Sequence, residues 1–425
     1  MGNIREKVTM AQSVKGMRDL FGAEMRWFGL IEDTARRSFS RHGYGEIRTP
    51  ILEEIEVFKR SVGDSSDIVK KEMYDFTDKG GRHVVMRPEN TAGVVRAMIQ
   101  HKLLTTPDPQ KVFYIGPMFR YERMQTGRFR QFFQIGVESF GAGTPESEVE
   151  SLVMLFDFLK ALGLTQLELS INSVGTPACR PAFHDAIRTF FQGRQEHFCA
   201  DCHRRIAENP LRVLDCKIPT CQEALEGHPL LVDFLDEDSR AHHARLKELL
   251  KDVGIPFVEN PRLVRGLDYY TRTAFEVLSS DLGAQSALLG GGRYDGLVKQ
   301  LGGPDTPAFG WAIGLDRLAM LLSQIRGEAP GEQAITLIPL GEAATRRAFG
   351  LAREAWSEGL ALNLETRGGA LKKALTTANR QGARWALLLG DGELEQGVIT
   401  ARDLASGSQE TWPLADVIAR IKALA

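Results

Sequence analysis

Cysteine is scarce in this chain, with five residues in 425, too few for a scaffold built on disulfides. Net charge is nearly absent. Lys and Arg number 53 against 55 Asp and Glu, a formal −2 at pH 7. The total therefore gives no sign of a nucleic-acid partner, although a local basic face would suffice for one. No apolar run approaches the ~18–20 residues needed to span a bilayer. The opening Met1-Gly2-Asn3-Ile4-Arg5-Glu6-Lys7 has no apolar signal core behind it, so a cytoplasmic location and no membrane association are expected. Glu6 stands where a myristoylation signal needs Ser or Thr. Internal repeats and low-complexity tracts are also missing. What is present is ordinary for a globular protein: 43% hydrophobic and 25% charged residues. The length suits two or three domains, each able to bury a core.

The first half mixes helices and strands. Residues 27–39 carry apolar side chains at helical spacing, and Gly43-Tyr44-Gly45 breaks the pattern before an extended segment at 46–52. Short strands are predicted at 84–86, 112–115 and 132–138. Thr144-Pro145 predicts a helix start, with Val149, Leu152, Val153, Phe156 and Leu159 on one face. Strands without regular βαβ spacing imply an α+β fold, a mainly antiparallel sheet with helices around it. Residues 172–260 read as a helical, charge-rich insertion into the first domain, which spans 1–325. A polar stretch with Gly327, Pro330 and Gly331 marks a linker at 326–330. Beyond it, 331–425 alternates strand and helix, at 335–340, 343–356, 360–364, 371–379 and 385–389, which predicts a small α/β domain with a partly parallel sheet.

Two features could carry chemistry. Residues 116–134 place Arg120, Arg123, Arg128 and Arg130 in a hairpin-like segment with Gly127 at its tip. Guanidinium forks match phosphate oxygens, so such a hairpin suits a polyphosphate with a base stacked on a ring such as Phe132. An exposed charged hairpin without a ligand explains the charge pattern equally well. The second feature is Cys199-x2-Cys202-x13-Cys216-x4-Cys221. Four thiolates could close a structural zinc site, but the second pair is spaced by four residues and His203 adds a competing donor. Free thiols are the expectation and zinc the alternative.

Phe119-Arg120-x-Glu122 and Gly310-x3-Gly314-x-Asp316-Arg317 resemble motifs 2 and 3 of class II aminoacyl-tRNA synthetases, and residues 47–50 are similar to motif 1, their dimer-forming element. Leu263-Val264-Arg265-Gly266-Leu267-Asp268-Tyr269-Tyr270-Thr271-Arg272-Thr273 and Gly290-Gly291-Gly292-Arg293-Tyr294-Asp295-Gly296-Leu297 resemble the two signature peptides of the histidyl-tRNA synthetase family. The resemblance implies the class II catalytic fold, a C-terminal anticodon-binding domain and a homodimer. It implies ATP with magnesium and L-histidine as substrates, tRNA(His) as partner and no organic cofactor. It assigns Arg120 to the ATP α-phosphate and the substrate carboxylate, Glu122 to the adenine amino group, Phe132 to adenine stacking, and Arg128 and Arg317 to the γ-phosphate. Glu89 and Thr91, with Gln134 beside them, would hold the substrate amino group. Glu138 and Tyr270 would read the imidazole, with Tyr269 and Tyr294 nearby, and Arg265 would meet the α-phosphate opposite Arg120. The alternative for Glu138 is an ion pair with a hairpin arginine. Arg123 and Gln125 in the hairpin loop, and Arg367, Lys372 and Lys373 in the terminal domain, are candidates for tRNA contact. Asn90, Tyr121 and Met124 depart from the usual pattern. A non-catalytic paralogue that regulates histidine biosynthesis is the competing reading. Such paralogues tend to lose the catalytic arginine and the terminal domain, and this chain has both Arg265 and residues 331–425.

Overall fold

The computed structural model describes residues 11–63, 66, 68–106, 108–124, 127–280, 287–327, 329 and 334–424, in two compact units, Met1–Ala329 and Pro330–Ala425. The first unit opens with α1 (Ala23–Arg41), β1 (Gly45–Glu46), β2 (Leu52–Glu54), α2 (Ile55–Val62), β3 (Tyr74–Thr77), β4 (His83–Met86) and α3 (Thr91–Gln100). The long hairpin β5 (Gln110–Phe119) and β6 (Gln131–Phe140) follows, then α4 (Pro145–Ala161) and β7 (Leu167–Ser173). A helical stretch holds α5 (Arg180–Phe191), α6 (Ala200–Glu208), α7 (Pro219–Ala224) and α8 (Glu237–Asp252). The unit closes with β8 (Phe257–Glu259), β9 (Thr271–Ser279), β10 (Ala287–Arg293), α9 (Leu297–Gln300), β11 (Ala308–Gly314) and α10 (Leu315–Arg326).

Eight of these strands form one sheet in the order β1-β5-β6-β11-β10-β9-β7-β8, and β2-β4-β3 form a smaller one. The large sheet is antiparallel except at its ends, where β1 runs parallel to β5 and β8 to β7. Side chains alternate between the two faces of a strand. On one face Ile135 and Val137 of β6, Phe309, Trp311 and Ile313 of β11, and Phe275 and Val277 of β9 are buried in one core with residues of α1, α4, α8 and α10. The other face therefore carries the intervening residues: Phe132, Gln134, Gly136 and Glu138 on β6, opposite Gly314, Ala312 and Gly310 on β11. Gly290 and Gly292 on β10 continue this face, opposite Glu276 and Ala274 on β9. The middle of the sheet is thus floored mostly by glycine and alanine.

The span read as an insertion starts and stops inside this sheet, because Asn172 and Ser173 belong to β7 and Phe257–Glu259 to β8. Leu246 and Leu250 of α8 lie in the main core, so charge on its outer face hid a core helix. The helix predicted from Pro145 forms, with Val149, Leu152, Leu155, Phe158 and Leu159 inside, while Val153 and Phe156 are half-buried.

The second unit contains β12 (Ala334–Leu340), α11 (Glu342–Ser357), β13 (Leu362–Leu364), α12 (Leu371–Arg380), β14 (Ala383–Gly390), α13 (Asp391–Gln396), β15 (Val398–Asp403), β16 (Gln409–Pro413) and α14 (Val417–Leu424). Its sheet runs β13-β12-β14-β15-β16. The first three strands are parallel, as the alternation predicts, and β15 and β16 add an antiparallel edge.

Candidate active site

Glu138 lies at the centre of the glycine-floored face and is 1% exposed. Its Oε1 accepts from the Thr91 hydroxyl at 2.8 Å and its Oε2 from the Tyr294 hydroxyl. Among the described residues no arginine of the hairpin bonds to it, so the ion-pair alternative falls. Space for the carboxylate comes from Gly310, opposite it on β11. A Cβ there would lie 1.9 Å from Glu138 Oε2 and 2.5 Å from the Val137 carbonyl. Burial pushes the Glu138 carboxyl up to about 8, against the pull of the Tyr294 and Thr91 hydroxyls.

Glu89 closes the N-terminus of α3. Its two oxygens accept from the amides of Thr91 at 2.7 Å and Ala92 at 3.0 Å, using donors that have no partner within the helix. Burial raises its pKa, with those amides and the nearby Arg120 offsetting part of the effect. Asn90 has a structural use of its own. Its Oδ1 accepts from the Thr49 hydroxyl at 2.6 Å, which ties residues 47–50 to the start of α3. Arg87, 5% exposed, reinforces this link through the Thr49 carbonyl at 3.0 Å and the Pro117 carbonyl at 2.9 Å.

Two arginines flank this carboxyl-lined floor. Arg120 donates from Nε to the Pro88 carbonyl at 2.8 Å, and its guanidinium stands 5.2 Å from the centre of the Phe132 ring. Arg265 is held by Glu276 of β9 and lies 5.8 Å from the Tyr270 ring centre. It also depends on glycine, because a Cβ at Gly290 would come within 2.4 Å of its Nη1. Arg265 Nε and Gln134 Oε1 are buried without a hydrogen-bond partner.

The hairpin end sits beside α10. Arg128 donates to Glu122 at 3.3 Å. Arg317 donates to the Ala287 carbonyl at 2.9 Å, and burial and then the neighbouring Arg128 lower its pKa. Two guanidiniums held close enough to repel each other favour an anion between them. Asp316 fixes the geometry by accepting from the Phe133 amide at 2.7 Å and from Arg18 at 2.6 Å. The register explains why that amide is available. Phe133 pairs with Pro117, whose carbonyl faces Arg87 and not β6, and β11 ends opposite Gln134. Tyr121 packs under Arg130, 3.6 Å from guanidinium to ring centre.

The structure thus gathers Glu89, Thr91, Gln134 and Glu138, the tyrosines 269, 270 and 294, Arg120, Phe132 and Arg265 around one face. The tyrosine bound to Glu138 is Tyr294, whereas the Tyr270 ring packs 4.7 Å from that of Tyr269. Sequence reasoning missed Glu276, although a lone acid in the apolar strand Thr271–Ser279 was a usable signal. It also missed the role of Arg293. That residue is fully buried with the fully buried Glu148, which bonds His242 at 2.7 Å as well. Burial works against the Glu148 charge, but His242 and Arg293 outweigh it and hold the pKa below the ordinary value. Of the tRNA candidates, Arg123, Lys372 and Lys373 are exposed and Arg367 pairs with Glu365. Gln125 lies outside the described residues.

Comparison with known proteins fits this geometry. The family model described as histidyl-tRNA synthetase matches residues 16–183 and 213–318, and one described as an anticodon binding domain matches 334–424. The histidine–tRNA ligase of Desulfitobacterium hafniense is 46% identical over 95% of this chain and 96% of its own length, and that of Natranaerobius thermophilus is 43% identical over 98% and 100%. The crystal structure of apo histidyl-tRNA synthetase from S. aureus superposes with a TM-score of 0.79 at 34% identity, covering 97% of this chain and all of that one. With the family's pattern over most of the first unit and relatives this similar along almost the whole sequence, the chain belongs to the histidyl-tRNA synthetase family.

Proposed function

We propose that the chain activates L-histidine with ATP to histidyl-adenylate and transfers the histidyl group to tRNA(His), releasing AMP and pyrophosphate. The observation that carries this reading is the buried Glu138 carboxyl on a glycine floor flanked by Arg120 and Arg265. Neutral imidazole offers one donor and one acceptor nitrogen. Glu138 accepts from the N–H, and a tyrosine hydroxyl beside it serves the other nitrogen. The hydrogen bond to Glu138 nominates Tyr294 for a place in this pocket next to Tyr269 and Tyr270. Glu89, Thr91 and Gln134 take the amino group.

ATP enters as its magnesium complex. Phe132 stacks on adenine, Glu122 reads its amino group, and Arg128 and Arg317 grip the γ-phosphate end. The histidine carboxylate attacks the α-phosphorus, and the bond from that phosphorus to the bridging oxygen breaks as pyrophosphate leaves. No side-chain base is required, since the nucleophile is already ionised. Arg120 and Arg265 stabilise the charge that builds on the five-coordinate phosphorus, so catalysis is positioning plus electrostatics. A ribose hydroxyl at the tRNA terminus then attacks the adenylate carbonyl, AMP departs and the hydroxyl proton is lost.

On this reading residues 1–325 are the catalytic domain, 326–330 the linker and 331–425 the anticodon-binding domain, where Arg367, Lys372 and Lys373 are candidate contacts. Arg123 and Gln125 would face the acceptor end. A homodimer is part of the proposal. Leu52 and Phe76, 46% and 44% exposed, share a face of the small sheet with Tyr74 and Met86, and Ile51 beside them is 41% exposed. Such a patch suits a two-fold interface. No helix among the described residues is long and apolar enough to cross a membrane, in keeping with action in the cytoplasm. Histidine-dependent exchange between ATP and labelled pyrophosphate tests the activation step. Exchange that ignores histidine, or responds equally to other amino acids, would sink the reading.

A further inference from the structure

The four cysteines between 199 and 221 converge. One ligand sulfur from each of Cys199, Cys202, Cys216 and Cys221 lies within 4.8 Å of all the others. Cys202 and Cys221 are fully buried, Cys216 is 4% exposed and Cys199 half-buried. A zinc–sulfur bond of about 2.3 Å places the corners of a sulfur tetrahedron roughly 3.8 Å apart, so a contraction of about 1 Å at most closes the site around an ion. The x4 spacing of the second pair, which counted against a metal in the sequence, is taken up by the turn into α7, which starts at Pro219. The Cys199 amide donates to Cys221 Sγ at 3.2 Å, linking the two pairs as an outer-shell donor to a thiolate would. His203 turns away and bonds the Phe198 carbonyl at 3.1 Å, and Cys179 lies apart, bonded to the Thr176 amide. Cysteines serving only as apolar filler would have no reason to bring all four sulfurs to one point.

Between Cys202 and Cys216 the chain makes a single-turn 3-10 helix, Pro210–Val213. From it, Arg212 donates twice to Asp268 Oδ1, at 3.0 and 2.9 Å, and once to the Gly266 carbonyl at 2.9 Å. Asn209 adds a third bond to the same Asp268 oxygen at 2.9 Å. Those contacts pin the loop that carries Arg265, and Asn209, Arg212, Arg265, Asp268 and Tyr270 line one small cleft.

We propose that Cys199, Cys202, Cys216 and Cys221 form a tetrathiolate zinc site, and that the bound ion holds the Asn209–Arg212 turn against Gly266 and Asp268 so that Arg265 is positioned for catalysis. The metal assignment stands on the thiol geometry alone; the positioning role rests on the function proposed above.

The test uses the full chain, purified under reducing conditions. Elemental analysis should find one zinc ion per chain, and cobalt(II) added to chelated protein should give the charge-transfer and ligand-field absorption of tetrahedral cobalt thiolate. The variant Cys216→Ser should lose both, and the parent's own metal content keeps the test decisive if that variant does not fold. Metal-free parent that gives no cobalt spectrum, a Cys–Cys disulfide found by mass spectrometry, or iron in place of zinc would each overturn the site. For the positioning role, Arg212→Ala should keep its zinc and lose kcat for pyrophosphate exchange by roughly 10–100-fold, with the histidine KM little changed. Retention of parental kcat in zinc-replete Arg212→Ala would reject that role and leave the metal site standing. Zinc in a protein without histidine-dependent exchange would instead count against the enzymatic reading.

Discussion

Replacing Glu138 with Gln removes a charge from the least accessible part of the site, and its effect should depend on pH in a defined direction. Burial raises the folded-state pKa of this carboxyl from about 4.5 to about 8. Between those values the folded protein holds a proton that the unfolded chain has released. The Glu138 contribution to ligand-free stability therefore falls as pH rises from about 4.5 and levels off above about 8. At about 1.4 kcal/mol per pH unit, the span of roughly 3.5 units amounts to 4–5 kcal/mol in order of magnitude. Neutral Gln has no such term. Near pH 5 the two proteins should differ only by the small cost of giving Thr91 and Tyr294 an amide in place of a carboxyl. Near pH 8.5 the ligand-free variant should be the more stable, by several degrees in Tm. Glu89 shifts in the same direction and Glu148 in the opposite one, but both are common to the two proteins and cancel in the difference. Histidine should restore stability to the parent at pH 8.5, because an imidazole N–H gives the carboxylate its missing donor, and should do so far less for the variant. Thermal melts at pH 5, 7 and 8.5, with and without histidine, check all of this. A parent–variant difference that stays constant across the range would refute the argument, since it would mean that the two hydroxyls keep Glu138 ionised throughout. In the same variant the histidine KM should rise about 10–100-fold, the worth of one hydrogen bond to a charged group, with the ATP KM little changed.

Arg265→Ala should lower pyrophosphate exchange by about 10²–10³-fold, as for loss of one fixed donor to a transition-state charge, while histidine affinity measured by calorimetry moves much less; activity within a few-fold of the parent would remove Arg265 from the chemistry. Arg293→Met strands the fully buried Glu148 with His242 alone and should cost about 3–5 kcal/mol in denaturant titration, much of it regained by adding Glu148→Gln. Paired charges at Leu52→Glu and Phe76→Glu should shift sedimentation equilibrium from dimer to monomer at micromolar concentration, and a parent that sediments only as a 47.2 kDa monomer would contradict the interface.

Several parts of this protein are legible in the chain itself because they depend on neighbours in sequence. The alternation Phe132-Gln134-Gly136-Glu138 puts four residues on one face of a strand wherever that strand ends up. The arginines of residues 116–134 signal an anion, and the strand–helix repeat after residue 334 gives a partly parallel sheet. The signature peptides identify the family directly. Other features depend on pairings that sequence spacing does not reveal. A period of two shows which residues share a face, but not which strand lies beside it. Only the register of β10 against β9 brings Gly290 opposite Glu276, leaving room for Arg265 to meet that acid. The fold, not the signature, decided that Tyr294 bonds Glu138 across 156 residues. It likewise made α8 part of the core despite its charged outer face, and brought together four cysteines whose spacing looked unsuited to one ion. Each is a long-range contact, settled when the packing of the sheet and its helices chose among partners that local chemistry left equivalent.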